Sequence, residues 1–321
     1  MKEKGVRFTL STDEVVQSLI APELIAYEKR LKSNRGIDVA WERAREHYLY
    51  PKKTHPEDTY TLDKSGNDDI GHIYRIALMM PKVIVPKGAE DDVLSQLYNK
   101  ARNDLISIFF HDIPERDKDL QVVLREKEHT DKRFTVIDYT LDLMTIIKDP
   151  ANVTQKQMDE HYFNEIKKRV KLYKLVSEAI DSGRIDIKQI STEIKKLGRD
   201  EMALKVRSFL TKGNLGDERK QTKVKGELKL IRASVVNFMK IKLGDQYENL
   251  SNIRIHDLSE KDKRKATEKY FRPLAHLENE MRKIASEHGL ATWFFKEIEN
   301  NRAEAWSNIK QHVKVRGEMQ R

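Results

Sequence analysis

The residues best placed to do chemistry are basic side chains concentrated between positions 195 and 232. Twelve Lys and Arg residues stand there against five acids, a net charge of +7 in 38 residues of a chain whose formal charge is +9. The twelve are Lys195, Lys196, Arg199, Lys205, Arg207, Lys212, Arg219, Lys220, Lys223, Lys225, Lys229 and Arg232. Such side chains neutralise phosphates and release counterions without needing a sequence motif. The segment therefore predicts contact with a nucleic-acid backbone, although a solvated, Lys-rich helical surface explains the same residues.

A candidate helix-turn-helix spans residues 187–210 within this basic segment. Two short helices are predicted to meet at Gly198, and the second carries two of the basic residues. A recognition helix enters the major groove and needs polar or basic side chains on its outer face. However, Ile194 stands where the motif normally has a small residue, and Arg199 where it has an apolar one. A plain helical hairpin with a glycine stop explains the same pattern.

Residues 213–226 are predicted to form a mobile basic loop. They include three glycines and, as large core residues, only Leu215 and Val224. The basic residues of the loop are Arg219, Lys220, Lys223 and Lys225. Their spacing suits a segment that tracks a phosphate backbone. The loop has no Trp or Phe to insert into a bilayer, which argues against binding to a membrane surface.

One pair of residues, His111 and Asp112, has the character of a metal site. Adjacent His and Asp at a helix end can both bind one metal, which is similar to the HD phosphohydrolases, where an upstream His and a later Asp complete the site. The partners available here are His72 upstream and Asp138 or Asp142 downstream. Against this, Pro114 ends the helix two residues after Asp112, and His72 falls in a predicted strand, whereas that family is helical there. The preferred interpretation is a capping Asp and a half-buried His.

Signatures of other enzyme classes are weak. Glu-x-Lys triplets at 165–167, 193–195 and 227–229 resemble part of a metal-dependent nuclease site, but all three lie on predicted helices, where the spacing is common. A nuclease needs the triplet on a strand beside an Asp. The sequence contains no GxxxxGK[ST], GxGxxG, HExxH or GxSxG motif. We therefore expect no catalytic site and no cofactor.

The composition indicates a charged, largely helical protein. Charged residues make up 35% and hydrophobic residues 38% of the chain, so the surface is large relative to the core. The pI of about 9.3 favours acidic partners. The absence of cysteine excludes disulfides, thiolate nucleophiles and cysteine-based metal sites. Trp41, Trp293 and Trp306 are interpreted most simply as core residues, with base stacking as the alternative.

The N-terminus lacks the apolar stretch of a signal peptide, and the longest apolar run, residues 105–110, is too short to span a membrane. These features predict an intracellular, cytoplasmic protein with no membrane contact.

Residues 1–150 are predicted to form an α+β domain that serves as a scaffold or binds a partner. Apolar residues on both faces predict buried strands at the middle and end of this half. The predicted strands are 5–10, 70–80, 82–85, 119–128 and 133–147. Between them, helices are predicted from Ser11, over 37–50 and over 89–110, with a polar loop at 51–69.

Residues 151–321 are predicted to be entirely helical. Capping residues mark the helix starts at Thr154, Asp186, Asp200 and Ser259, and glycines mark stops at Gly183, Gly198 and Gly289. Further helices are predicted over 227–243 and 291–313, and the helix from Ser259 is predicted to be interrupted at Pro273.

We expect from these features a non-enzymatic protein that binds nucleic acid through residues 195–232. An alternative is a structural or assembly protein, for example of a virus particle or a multi-subunit complex, whose apolar stripes at 154–182 and 291–313 pack against other subunits. A second alternative is a metal-dependent phosphohydrolase or nuclease that uses His111 and Asp112.

Overall fold

The computed structural model describes most of the chain, and the described part is all-α. It covers residues 9–31, 36–49, 69–80, 82–112, 136–144, 154–211, 218–256, 258–288 and 298–312. Helices account for 85% of these residues, and no strand occurs among them. The predicted α+β fold is therefore wrong.

The helices follow one another in a simple order along the described ranges. They are α1 (Thr12–Leu19), α2 (Pro22–Leu31), α3 (Ile37–Leu49), α4 (Asp69–Met79), α5 (Asp91–Phe109), α6 (Val136–Met144), α7 (Gln155–Ser182), α8 (Ile187–Lys196), α9 (Asp200–Thr211), α10 (Glu218–Asn249), α11 (Asn252–Ile255), α12 (Glu260–His288) and α13 (Glu299–His312).

Contacts divide the chain into two compact units. The first unit combines residues 1–110 with residues 241–321, and the second comprises residues 111–240. Helix α10 begins in the second unit and ends in the first. The boundary predicted at residue 150 falls inside the second unit and stays a prediction about independently folding domains.

Several helix ends lie where the capping residues predicted them. Ser11 and Thr154 each form a complete capping box, with Glu14 and Gln157 respectively. The Asp186 side chain accepts a hydrogen bond from the Gln189 N–H at 2.9 Å. These side chains satisfy backbone donors that the first helical turn leaves without an intrahelical partner. Gly183 and Gly198 follow α7 and α8 with φ of 68° and 69°, so both predicted stops are confirmed.

The strand predicted over residues 70–80 is helix α4. Ile70, Ile73 and Ile76 recur every three residues and are fully buried. Most neighbouring positions in residues 70–80 are apolar as well, so the segment also fits the pattern of a strand that is buried on both faces. A short apolar run cannot distinguish a buried helix from a buried strand by its pattern alone. The next predicted strand, residues 82–85, belongs to neither a helix nor a strand, and Ile84 is 86% exposed.

The strand predicted over residues 133–147 is also wrong for residues 136–144, the part of it that the structure describes. Residues 136–144 form helix α6, and every one of them from Ile137 onward is buried. Burial on all sides removes the amphipathic pattern that would have identified a helix. Residues 9 and 10 are not in a strand either. The predicted strand 119–128 and residues 5–8 lie outside the described residues.

Three further predictions about the helical half are corrected. Residues 218–226, predicted as loop, form the first turns of α10. Helix α12 continues through Pro273, which was predicted to interrupt it. Asp200 is the first residue of α9 rather than the residue before it. Gly289 lies outside the described residues, and the last helix is described from Glu299 only.

The core of the first unit is built around Trp41 of α3. Its side chain is fully buried, and its ring packs edge-on against Phe109 of α5 and Tyr74 of α4, with centroid separations of 5.0 and 6.3 Å. The core interpretation of Trp41 is therefore confirmed. A buried carboxylate, Glu28 of α2, accepts hydrogen bonds from the Ile37 N–H at 2.6 Å and the Tyr98 hydroxyl at 2.5 Å. These bonds tie the start of α3 and the middle of α5 to α2.

A second anchor in the first unit is the carboxylate of Glu278 in α12. It accepts hydrogen bonds from the Tyr247 hydroxyl at 2.6 Å, Trp306 Nε1 at 2.6 Å and Arg302 Nε at 3.0 Å. Three donors from α10 and α13 thus converge on one side chain, which fixes these helices on α12. Trp306 is half-buried with its indole N–H bonded, as a core residue requires, whereas Trp293 lies outside the described residues.

The second unit is organised on the long helix α7. Its predicted apolar stripe is buried within the unit from Ile166 to Val176. Arg169, also fully buried, donates from Nη1 to Glu165 Oε2 and from Nε to the Leu143 carbonyl, both at 2.7 Å. The stripe is thus covered within the unit from Ile166 to Val176, whereas Met158 at its start is 38% exposed. The assembly interpretation stays a prediction.

Substituting Gly183 should destabilise the second unit. Its φ of +68° is a conformation in which an L-residue is strained, and no heavy atom lies within 4 Å of a Cβ built there. Gly183→Ala should therefore lower the free energy of unfolding by about 1 kcal/mol through backbone strain alone. Urea unfolding followed by far-UV circular dichroism measures the change.

Gly226→Ala is the matched control with the opposite expected sign. Gly226 lies inside α10, and a Cβ there also meets nothing within 4 Å. Alanine should stabilise that helix by about 0.5–1 kcal/mol. An unchanged or lower stability of Gly226→Ala would contradict the helical assignment of residues 218–226.

Candidate functional site

The predicted basic residues lie on three helices of the second unit, α8, α9 and α10. Helix α8 buries Ile187, Ile190 and Ile194 and leaves Lys195 and Lys196 exposed in its last turn. Cationic side chains at a helix C-terminus interact favourably with the helix dipole. Both lysines therefore have a structural explanation that needs no ligand.

Lys205 of α9 is committed to a contact inside the second unit. Its Nζ lies 2.9 Å from Glu227 Oε1 and 5.3 Å from the centre of the Tyr139 ring. Tyr139 is fully buried, and its hydroxyl donates to the same Glu227 carboxylate. Burial raises the pKa of Tyr139, and the nearby charge of Glu227 raises it further. Lys205 thus joins α6, α9 and α10 and is poorly placed to meet a phosphate.

Helix α10 presents its basic residues beside its buried stripe. Val224, Leu228 and Ile231 are buried, and the flank one residue further along carries Lys225, Lys229 and Arg232 at helical spacing. Lys223 lies on the opposite flank of the same stripe, as its offset of two residues from Lys225 requires. Arg219 and Lys220 belong to the first turn of α10, but their side chains lie outside the described part, as does Lys212.

Three of the basic residues have carboxylate partners in the second unit. Lys196 lies 2.8 Å from Glu193, Lys205 pairs with Glu227, and Arg232 Nη1 lies 3.5 Å from Asp181 Oδ1. Arg199 is half-buried at the start of α9 and has a contact of its own. Nearby carboxylates therefore pair with some of the predicted basic residues. The basic surface is smaller than the count of Lys and Arg residues in the sequence indicated.

The remaining described cations have no carboxylate within ion-pair distance among the residues that the structure describes. They are Lys195, Arg207, Lys223, Lys225 and Lys229. Lys225 and Lys229 lie on the same flank of α10 as Arg232, and the chain brings these three together. It does not bring Lys223 to that flank.

The candidate helix-turn-helix is a closely packed helical hairpin. Ser191 Oγ of α8 donates to the Ala203 carbonyl of α9 at 3.0 Å, and both residues are buried. The outer face of α9 presents Arg207 but also Leu204, which is 64% exposed. The hairpin prediction is confirmed, whereas insertion of α9 into a groove stays a prediction.

His111 and Asp112, the candidate metal pair, directly follow Phe110 at the end of helix α5. His111 Nε2 is 3.2 Å from Asp112 Oδ1, and the His111 side chain is fully buried. The two downstream candidates, Asp138 and Asp142, lie on buried helix α6. His72 lies on helix α4 rather than on a strand, so one objection from the sequence is removed. A metal at His111 and Asp112 stays a prediction.

A cluster of buried charges in the first unit was not predicted. His72 Nδ1 contacts the Glu248 carboxylate, and His72 Nε2 lies 3.3 Å from Asp245 Oδ1. Glu248 in turn accepts from Arg75 Nε at 2.6 Å, and its other oxygen lies 3.2 Å from Arg254 Nε. Helices α4, α10 and α11 thus meet at one carboxylate that is fully buried.

The electrostatics of the cluster favour a protonated His72. Burial lowers the pKa of His72, and the nearby charge of Arg254 lowers it as well. The negative charge of Glu248 and the hydrogen bonds to Asp245 and Glu248 have a larger opposite effect and raise the pKa of His72 to about 9. For Glu248, burial by itself raises the pKa. The positive charges of His72, Arg254 and Arg75 outweigh burial and hold the pKa of Glu248 below its usual range. Carboxylates face both His72 nitrogens, and His72, Arg75 and Arg254 surround Glu248 with positive charge, so these side chains form an ion-pair network.

The sequence carried only a weak signal for this cluster. Asp245 and Glu248 are three residues apart and so share one face of a helix, but so do many acid pairs in this chain. Their partners on α4, His72 and Arg75, lie more than 170 residues away. Periodicity relates neighbours within a helix and carries no information about such distant pairs.

Comparisons of the chain with protein-family models, with curated proteins and with solved structures gave no match. Within the described ranges, every helix is too short or too polar to cross a lipid bilayer.

The stability of the first unit should fall as pH rises above neutrality. The folded pKa of His72 is about 9 against an ordinary value of 6.5, so its contribution is complete below pH 6.5 and is lost as pH rises through 9. We expect the free energy of unfolding to drop by roughly 1–3 kcal/mol across that window. All three tryptophans belong to the first unit, so tryptophan fluorescence in urea reports it.

His72→Asn is the control for this pH dependence. The variant should be less stable at neutral pH, because Asp245 and Glu248 lose a buried cation. Its stability should change less than that of the wild type between pH 6.5 and 9. Parallel profiles for the two proteins would show that His72 is not the titrating group.

Proposed function

We propose that the second unit binds the phosphate backbone of a nucleic acid through exposed and half-buried cations of α8, α9 and α10. The observation that carries the proposal is the set of five described cations without a carboxylate at ion-pair distance: Lys195, Arg207, Lys223, Lys225 and Lys229. Unmatched cations retain their attraction for an external polyanion, whereas matched ones lose much of it.

The flank of α10 is the centre of the proposed surface. Lys225 and Lys229 are one helical turn apart, about 6 Å along the axis, and Arg232 follows three residues later. The flank adjoins the buried stripe of α10, so a rigid helix holds the three cations in a row. A row of cations on a rigid support contacts successive phosphates without reading bases. The proposed binding is therefore independent of sequence and sensitive to salt.

The test is a binding titration of the full chain against single- and double-stranded DNA and RNA of one length at several salt concentrations. Wild-type protein should show log affinity falling linearly with log salt. The double variant Lys225→Gln, Lys229→Gln should bind more weakly at low salt. Its salt slope should be shallower by about 1.4–1.8, as expected for two lost phosphate contacts.

A matched control removes two lysines from another surface. Lys261 and Lys265 are exposed on α12 in the first unit, so Lys261→Gln, Lys265→Gln changes the net charge equally. This control should bind as the wild type does. Equal weakening by both double variants would show that net charge alone drives binding. Absence of salt-sensitive binding by the wild type would remove the proposal.

A further inference from the structure

Two acidic residues close to the basic segment hold cations at its edge. Glu193 of α8 lies 2.8 Å from Lys196 Nζ and 3.3 Å from Lys171 Nζ of α7. Asp181, in the last turn of α7, lies 3.5 Å from Arg232 Nη1 of α10. Lys171 is outside residues 195–232, so the sequence count of basic residues did not include it.

Each of these pairs has one well-exposed member. Lys171 and Lys196 are 64% and 58% exposed against 13% for their shared partner Glu193, and Asp181 is 61% exposed against 28% for Arg232. Ion pairs on a protein surface are weak because water screens them and long side chains lose freedom when they pair. The pKa of Glu193 lies below its usual range, with the Lys196 hydrogen bond as the largest cause, so the carboxylate is charged at neutral pH. A phosphate oxygen could replace either carboxylate without leaving a cation unmatched.

The geometry also connects α7 to the proposed surface. Lys171 and Asp181 are ten residues apart, which places them within about 80° of each other around the helix. One of them contacts α8 and the other contacts the Lys225–Lys229–Arg232 flank of α10. The exposed side of α7 therefore borders both basic helices within the second unit.

We propose that Lys171 is a further contact residue for the polyanion, and that its phosphates displace Glu193 and Asp181 from Lys171, Lys196 and Arg232. This inference rests on the proposed function. The displaced carboxylates remain beside the phosphates and repel them, so both acids lower the affinity of the surface. Their removal strengthens binding, and the gain depends on the cation that each acid held.

The experiment measures binding of the same oligonucleotides to Asp181→Asn and Glu193→Gln variants of the full chain. Each should bind about 2–5-fold more tightly than wild type at low salt, the size expected for one exposed ion pair. Glu178→Gln is the matched control, because Glu178 is exposed on α7 one turn before Asp181 and has no cation at ion-pair distance among the described residues. Glu178→Gln should change the affinity by less than half as much as Asp181→Asn or Glu193→Gln does.

Two additional variants test the partner dependence. In an Arg232→Gln background, Asp181→Asn should strengthen binding less than it does in the wild type, because no cation is released and only the repulsion of the phosphates is removed. Lys171→Gln should weaken binding about as much as Lys229→Gln does. Glu193 is largely buried and helps join α7 to α8, so thermal unfolding by circular dichroism checks that variant, and Asp181→Asn, at an exposed position, carries the test independently.

The outcomes separate this inference from the proposed function. Salt-sensitive wild-type binding combined with equal gains for Asp181→Asn and Glu178→Gln would leave the function standing and overturn partner exchange. Unchanged binding by Lys171→Gln would remove that residue from the surface. Loss of all salt-sensitive binding in the wild type would instead remove the proposed function itself.

Discussion

Buried charge is the constraint on which both units depend. More than a third of the residues are charged, and an unmatched charge inside a helical core costs more than any single apolar contact contributes. Each unit therefore places opposite charges together where helices cross. His72 of α4 and Glu248 of α10 meet in the first unit, whereas Arg169 and Glu165 of the second unit pair one turn apart on α7, at the point where α7 contacts α6. The backbone carbonyl of Leu143 completes the second pair. These contacts restrict which helix faces can pack against one another.

Helix α10 shows how one continuous helix serves two environments. Residues up to 240 belong to the second unit, where one buried apolar stripe has cations on its flanks. From residue 241 onward the helix is buried on nearly all sides, and its polar residues find buried partners in the first unit. Averaged over its whole length, the helix therefore shows little separation of apolar and polar faces, although its first part has one buried stripe and its last part is buried on nearly all sides. Averaging over a long helix hides a change of environment along it.

The basic surface is smaller and more structured than the composition indicated. Neighbouring carboxylates hold Lys196, Lys205 and Arg232, and these contacts differ in kind. The Lys205 contact is half-buried and shared with a tyrosine, so it is part of the fold. The Lys196 and Arg232 pairs are more exposed and weakly held. A charge count cannot separate these cases, because it treats every cation as equally available to a ligand.

Local signals in the sequence determined helix ends and the helical character of the C-terminal half. The starts at Ser11, Thr154 and Asp186 were predictable because a capping side chain acts on a backbone group only two or three residues away. Tertiary structure decided whether apolar segments such as 70–80 and 136–144 became helix or strand, since burial on all sides removes the periodicity that separates them. It also decided which cations of residues 195–232 have acidic partners, and it brought His72 to Asp245 and Glu248. Lys196 and Glu193 are close in the chain, but Lys205–Glu227, Arg232–Asp181 and the His72 contacts join residues far apart, and only the packing of helices brings these within reach.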